Sequence, residues 1–132
     1  MRRHFALTVL SALLIGCFQH AHAQDSTQTL LIGTWRHKGF AYTFFADGRY
    51  VFVGSMGGEM MRTSTSESGT YAFSGDKLIV RRQRGVITTS MNYRQELEPE
   101  TTVYSLRMGN TPNGLAFQLI FPSGQYDIWY KD

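Results

Sequence analysis

The chain has 132 residues, of which 13 are Lys or Arg, 10 are Asp or Glu and one is Cys. This length accommodates one domain built around one hydrophobic core. The single cysteine excludes a disulfide framework within the chain, and the formal net charge of +3 is partly a property of the N-terminal segment.

That segment is typical of an export signal. A basic start, Met1-Arg2-Arg3-His4, precedes an apolar run over 5–15 that is too short to span a bilayer. Ala21-His22-Ala23 fits the A-x-A cleavage pattern, which predicts a signal peptide over 1–23 and a domain over 24–132. Leu14-Ile15-Gly16-Cys17 resembles a lipobox, so lipidation of Cys17 is the alternative outcome.

Removal of the signal peptide makes the domain nearly neutral. Two of the 13 basic residues, Arg2 and Arg3, would be lost, and all 10 acidic residues lie downstream. A near-neutral domain gives no argument for nucleic acid as a partner. We expect a periplasmic or secreted protein that meets a membrane only through a lipid anchor, in which case it is an outer-membrane lipoprotein.

The most hydrophobic hairpin in the chain is centred on Asp47-Gly48, a strong turn signal because Gly accepts a positive φ and Asp tolerates one. A two-residue loop would pair Phe45 with Tyr50, whereas a three-residue loop with a bulge would pair Phe44 with Tyr50. Both faces of this hairpin are apolar, so we expect both to be covered.

The stretch from Ser55 to Ser68 is rich in Gly, Ser and Thr. It predicts the longest irregular loop of the chain, with a short helix at 59–61. A second hairpin follows, in which a two-residue Gly75-Asp76 loop would pair Phe73 with Leu78. Arg84-Gly85 predicts the next break, and the alternation over 86–95 predicts a further strand.

Period-2 alternation over 102–108, 115–121 and 126–130 predicts the remaining strands, and Tyr126, Ile128 and Tyr130 complete the last of them. Eight or nine short strands joined by tight turns, without a convincing amphipathic helix, indicate an all-β fold. We predict an antiparallel up-and-down meander of about eight strands closed into a barrel, because closure removes the exposed edges.

Several short motifs resemble those of small bacterial lipocalin-like domains. Gly33-Thr34-Trp35 resembles the Gly-x-Trp signature, and Ser68-Gly69-Thr70-Tyr71 followed by Gly75-Asp76-Lys77-Leu78 is similar to later motifs of such domains. The resemblance implies an eight-stranded barrel that often holds an apolar ligand. In lipocalins an Arg of the last strand packs on the signature Trp, and here Lys131 would take that place, closing the barrel with Gly33 and Trp35.

Aromatic side chains are numerous enough either to line a cavity or to fill the core. The candidates for contact with an apolar ligand are Phe44, Tyr50, Phe52, Tyr71, Phe73, Tyr104, Phe117 and Tyr126. Contact between Phe44 and Phe117 across the barrel would indicate a filled core and favour a protein partner, whereas a gap would favour a ligand.

Three methionines, Met56, Met60 and Met61, fall in the predicted long loop. Thioethers are soft ligands that can bind Cu(I). An apolar lid or a surface for a partner is the preferred interpretation, because Met is a flexible apolar side chain. We therefore expect no metal and no cofactor.

Signals for catalysis are weak. His37 stands alone as a candidate base, and the spacings of phosphate loops and zinc sites are absent from the sequence.

Arg81, Arg82 and Arg84 predict a solvated strand end that discourages edge pairing.

We expect a non-enzymatic exported protein that binds a small apolar molecule or lipid in the cell envelope. The alternative is a periplasmic inhibitor or immunity-type protein that binds an enzyme through its loops or its N-terminal arm.

Overall fold

The computed structural model describes residues 28–132. The predicted signal peptide and Cys17 lie outside the described residues. The chain divides into two units, Met1–Leu30 and Leu31–Asp132, and all strands belong to the second. Residues 28–31 form one helical turn. Within the described range, no helix has the length and apolar character needed to cross a membrane.

The second unit is almost entirely β-structure. Its strands are β1 (Gly33–His37), β2 (Phe40–Phe44), β3 (Arg49–Gly57), β4 (Arg62–Ser74), β5 (Lys77–Thr89), β6 (Arg94–Glu96), β7 (Glu100–Thr111), β8 (Gly114–Ile120) and β9 (Tyr126–Lys131). Eight of them close into an antiparallel barrel in the order β1-β2-β3-β4-β5-β7-β8-β9, with β9 paired to β1. The short β6 pairs with β5 outside this ring. The predicted closed antiparallel barrel is confirmed.

The β2–β3 hairpin adopts the three-residue loop with a bulge. Phe44 pairs with Tyr50, the Phe45 amide donates to the Arg49 carbonyl at 2.9 Å, and Gly48 has a φ of 87°. This register sends Phe44 and Tyr50 into the barrel. The expectation that both faces are covered is wrong, because the opposite face lies outside, where Val53 is 45% exposed.

The predicted long loop from Ser55 to Ser68 is wrong. Most of it belongs to β3 and β4, which leaves only residues 58–61 for the turn and no helix at 59–61. Thr63 pairs with Met56 on one side and with Thr89 on the other. The stretch therefore comprises the end of β3, a short turn and the first half of β4, whose polar side chains resemble those of a loop while its threonines suit the pleated backbone.

The predicted break at Arg84-Gly85 is also wrong, because β5 runs through it. The irregularity is a register shift at Ser68/Gly69, where Gln83 is left without a paired partner in the ladder. The strand predicted over 86–95 is instead divided by a turn at 90–93, in which Asn92 has a φ of 65°.

The last strand directs Tyr126, a predicted ligand contact, away from the barrel interior. Trp129 pairs with Phe117 and is 3% exposed, whereas Tyr126 is 58% exposed. The rings of Trp129 and Phe117 lie 6.1 Å apart and nearly parallel. Because side chains alternate along a strand, burial of Trp129 places Tyr126, Ile128 and Tyr130 outside.

Gly69 is required at the register shift between β4 and β5. A Cβ atom there would lie 1.9 Å from the Arg81 carbonyl oxygen, so Gly69→Ala must displace backbone. We expect this variant to lower the free energy of unfolding by about 1–3 kcal/mol, measured by urea denaturation. Gly109→Ala is the control, because a Cβ there meets no described atom within 4 Å. Equal losses in the two variants would contradict this packing constraint.

Candidate ligand-binding site at the barrel mouth

One end of the barrel is closed around Trp35, which is fully buried. Its Nε1 donates to the Leu31 carbonyl at 2.7 Å. The Lys131 ammonium lies 4.8 Å from the Trp35 ring centroid and donates to the Ile32 carbonyl. A Cβ at Gly33 would lie 2.5 Å from this ammonium. Gly33, Trp35 and Lys131, which were predicted to close the barrel, therefore lie close together. Burial lowers the pKa of Lys131.

An aromatic layer fills the barrel above this closure. The ring centroid of Phe117 lies 4.7 Å from that of Trp35 and 6.4 Å from that of Phe44. Phe44 also contacts Tyr71, with a centroid distance of 5.0 Å. Phe44 and Phe117 therefore meet across the interior, and the core is filled at this level.

The opposite end of the barrel contains a cavity of about 390 Å³. Its lining is mainly aromatic and aliphatic, with polar groups from His37, Lys38, Glu67 and Asp127. The apolar part of the lining comprises Phe40, Tyr42, Phe52, Met56, Tyr104, Leu119, Phe121 and Trp129.

Only two of the predicted ligand-contacting aromatics, Phe52 and Tyr104, line this cavity. The others belong mostly to the core or pack against it, as Phe44, Tyr50, Tyr71, Phe73 and Phe117 do. Tyr126 is exposed and is not part of the lining. The sequence predicted that aromatic side chains occupy the barrel interior. It did not predict which of them pack into the core and which line the cavity.

His37 has a carboxylate partner that the sequence did not reveal. Its Nδ1 donates to the Ile128 carbonyl at 2.9 Å, and its Nε2 lies 3.6 Å from the Asp127 carboxylate. The imidazole also lies 5.3 Å from the Trp129 ring. Because β1 and β9 are at opposite ends of the sequence, only barrel closure brings these residues to the rim of the cavity.

The run of arginines predicted a solvated strand end, and for Arg82 this prediction is wrong. Its Nη1 donates to Glu67 at 3.1 Å and its Nη2 to Glu100 at 3.2 Å, and it also donates twice to the Glu98 carbonyl. The Arg82 side chain is 18% exposed, whereas Arg81 and Arg84 are exposed. Arg82 therefore holds residues 98–100 against the barrel and compensates the charge of Glu67 in the cavity wall.

Two buried polar atoms have no hydrogen-bond partner among the described residues: the Tyr50 hydroxyl and Trp129 Nε1. Trp129 forms part of the cavity wall. Burial raises the pKa of Tyr50 far above its ordinary value of 10.0 and raises the pKa of Tyr42 in the same way. A buried donor that is left unpaired reduces stability, so a ligand that supplied an acceptor to Trp129 would recover part of that cost.

Comparison with known proteins finds no matching family model, no matching curated protein and no matching solved structure. The lipocalin-like resemblance therefore stays a prediction from short motifs, and the candidate site rests on geometry alone.

The contacts of Arg82 stabilise the barrel. We expect Arg82→Met to lower the free energy of unfolding by about 1–3 kcal/mol, because it leaves the partly buried Glu67 without a charged partner. Arg84→Met, at an exposed neighbouring position, is expected to change it by less than about 0.5 kcal/mol. Urea denaturation of both variants measures the difference, and similar losses would show that the Arg82 contacts contribute little.

Burial of the Tyr50 hydroxyl, which raises its pKa, predicts that the barrel loses stability in alkali. Its folded pKa lies above its unfolded value, so its contribution to stability is complete below about pH 10 and is lost as the pH rises further. We expect Tyr50→Phe to lose less stability than the wild type between about pH 9 and about pH 11. The lowered pKa of Lys131 makes its own contribution to stability rise with pH. This contribution is the same in the wild type and in Tyr50→Phe, so it does not affect the difference between them.

Denaturation with urea at both pH values measures this difference. Tyr130→Phe, which changes an outward-facing tyrosine, is the matched control and is expected to follow the wild type. Parallel losses in the wild type and Tyr50→Phe would show that ionisation of Tyr50 does not limit alkaline stability.

Proposed function

We propose that this protein is a non-enzymatic binding protein of the cell envelope that takes up a small apolar molecule or lipid at the mouth of its barrel. The observation that carries this proposal is the cavity of about 390 Å³ with its aromatic lining. Ligand pockets in proteins usually range from about 300 to 1,000 Å³. The volume therefore suits one small molecule, or one end of a longer lipid chain.

The cavity wall favours apolar and aromatic groups. Phe40 and Phe52 are stacked with centroids 5.5 Å apart, and the Tyr42 ring lies 4.7 Å from Phe52 and 4.9 Å from Trp129. These rings offer both faces and edges to a ligand, an arrangement that suits flat or aliphatic groups without charge.

Polar groups at the rim orient the ligand. His37 and Asp127 lie together there, and Lys38 also contributes to the lining. The Glu67 charge is compensated by Arg82. A ligand with an apolar body inside and a polar end at the rim therefore fits this distribution better than a fully hydrocarbon molecule.

Export to the envelope is the part of the proposal that rests on the N-terminal segment. Cleavage after Ala23 would give a soluble periplasmic or secreted protein, whereas lipidation of Cys17 would hold the barrel at the outer membrane. Measurement of the mass of the mature N-terminus distinguishes these products.

Binding of the neutral fluorophore N-phenyl-1-naphthylamine to the full mature chain tests the cavity. We expect saturable binding of one equivalent, weakened about tenfold by Phe52→Gln because an amide replaces part of the apolar wall. Val53→Gln is the matched control, since the neighbouring side chain lies on the outer face and is 45% exposed. Circular dichroism checks that both variants remain folded.

Absence of saturable binding, or equal affinity in the two variants, would contradict the assignment of the cavity. Native mass spectrometry of the protein from its own host provides an independent measurement. A mass equal to that of the bare polypeptide, together with no fluorophore binding, would count against a ligand-binding function.

The alternative of an inhibitor or immunity-type protein has support of its own. The Phe44–Phe117 contact shows that much of the barrel is solid. The turns at 58–61 and 90–93 also expose large apolar side chains, with Met60 93% and Met91 72% exposed. A protein that binds an enzyme through these turns would retain its partner in Phe52→Gln, so this variant separates the two functions.

A further inference from the structure

Four methionines lie at the end of the sheet where β3, β4 and β5 extend beyond the barrel ring. We name this group the methionine tip, and it comprises Met56, Met60, Met61 and Met91. Their exposures are 61%, 93%, 51% and 72%. Methionine is among the residues most often buried in proteins, so an exposed group of four of the chain's six methionines calls for a physical explanation.

Backbone hydrogen bonds hold the two turns of the tip together. The Gly58 amide donates to the Met61 carbonyl at 3.1 Å and closes the first turn. The Ser90 amide donates to the Arg62 carbonyl at 2.9 Å, and the Arg62 amide donates to the Ser90 hydroxyl at 3.0 Å. Met61 precedes Arg62 and Met91 follows Ser90, so both adjoin the same hydrogen-bonded pair.

Strand pairing places Met56 beside this pair of turns. Met56 pairs with Thr63, which pairs in turn with Thr89 just before the second turn. Adjacent strands lie about 4.8 Å apart, and the methionine side chain is long, unbranched and flexible. Met56 lies near the end of β3 and the other three methionines lie in the two adjoining turns, so their flexible thioethers have the reach to bind one cation together.

We propose that the methionine tip binds one soft monovalent cation, Cu(I), through three or four thioether sulfurs. Thioethers are neutral, soft donors that select Cu(I) over hard and borderline divalent cations. The described part of the chain has no group of three or more His, Cys, Asp and Glu residues arranged to hold a metal. The sequence placed only Met56, Met60 and Met61 together, in a predicted loop. Strand pairing adds Met91 to this group, and the hydrogen bonds between Arg62 and Ser90 hold the two turns in place.

Sulfur is the property of these side chains that a metal site needs and an apolar contact does not. Methionine also suits adaptable apolar docking surfaces, whereas a soft cation requires its sulfur. All four residues of the tip carry sulfur, and Tyr93 of the second turn is a further exposed side chain, at 58%. Glu59 and Arg62 flank Met60 and Met61 in the sequence, and both are exposed.

Titration of the full mature chain with Ag(I), a redox-stable probe of the same ligand preference, tests the proposal, followed by Cu(I) kept reduced with ascorbate without oxygen. With methyl-¹³C methionine, we expect one equivalent of Ag(I) to shift the signals of at least three of Met56, Met60, Met61 and Met91. Met108 is the internal control, because it is partly buried against the barrel core.

The matched variant replaces all four tip methionines by leucine, which keeps the apolar character and removes sulfur. We expect its affinity for Ag(I) and Cu(I) to fall by at least about 100-fold, since no thioether donors remain, while Met108→Leu binds as the wild type does. An unshifted wild-type spectrum, or equal affinity in the leucine variant, would overturn the proposal. The wild-type spectrum gives this answer even if the leucine variant fails to fold.

Discussion

The barrel depends on the short pairing between its first and last strands. Only two residue pairs, Trp35 with Lys131 and Arg36 with Tyr130, define the register of β1 and β9. The Lys131 ammonium over the Trp35 ring and the hydrogen bond from that indole to Leu31 add contacts from side chains to this seam. Without the seam, both strands would present unpaired edges, and the cavity would lose the wall that contains His37 and Trp129.

Polar groups inside the barrel fall into two kinds. Arg82 is fully engaged with carboxylates and a carbonyl, as expected for a charge removed from water. Trp129 Nε1 and the Tyr50 hydroxyl are buried without partners among the described residues. Complete satisfaction at Arg82 indicates a structural role, whereas Trp129 Nε1 lies in the cavity wall, where an acceptor on the proposed ligand would pair with it.

Local patterns predicted most of the fold, and long-range pairing determined what they missed. The Phe73–Leu78 pair follows from a two-residue turn, and one of two predicted registers placed Phe44 opposite Tyr50. The sequence predicted a loop over 55–68 because its side chains are polar, although most of its backbone is hydrogen-bonded in β3 and β4. The rim pair of His37 and Asp127 was not predictable, because it depends on a strand contact across almost the whole described chain.

The unequal heights of the barrel walls link the two proposed sites. β4 and β5 have 13 residues each, whereas β1 and β2 have five. Met56 stands on the taller side, in the lining of the cavity and in the methionine tip. A cation that orders this side chain therefore changes the rim that a ligand meets. By thermodynamic reciprocity, a ligand that orders it must change the affinity for the cation by the same factor.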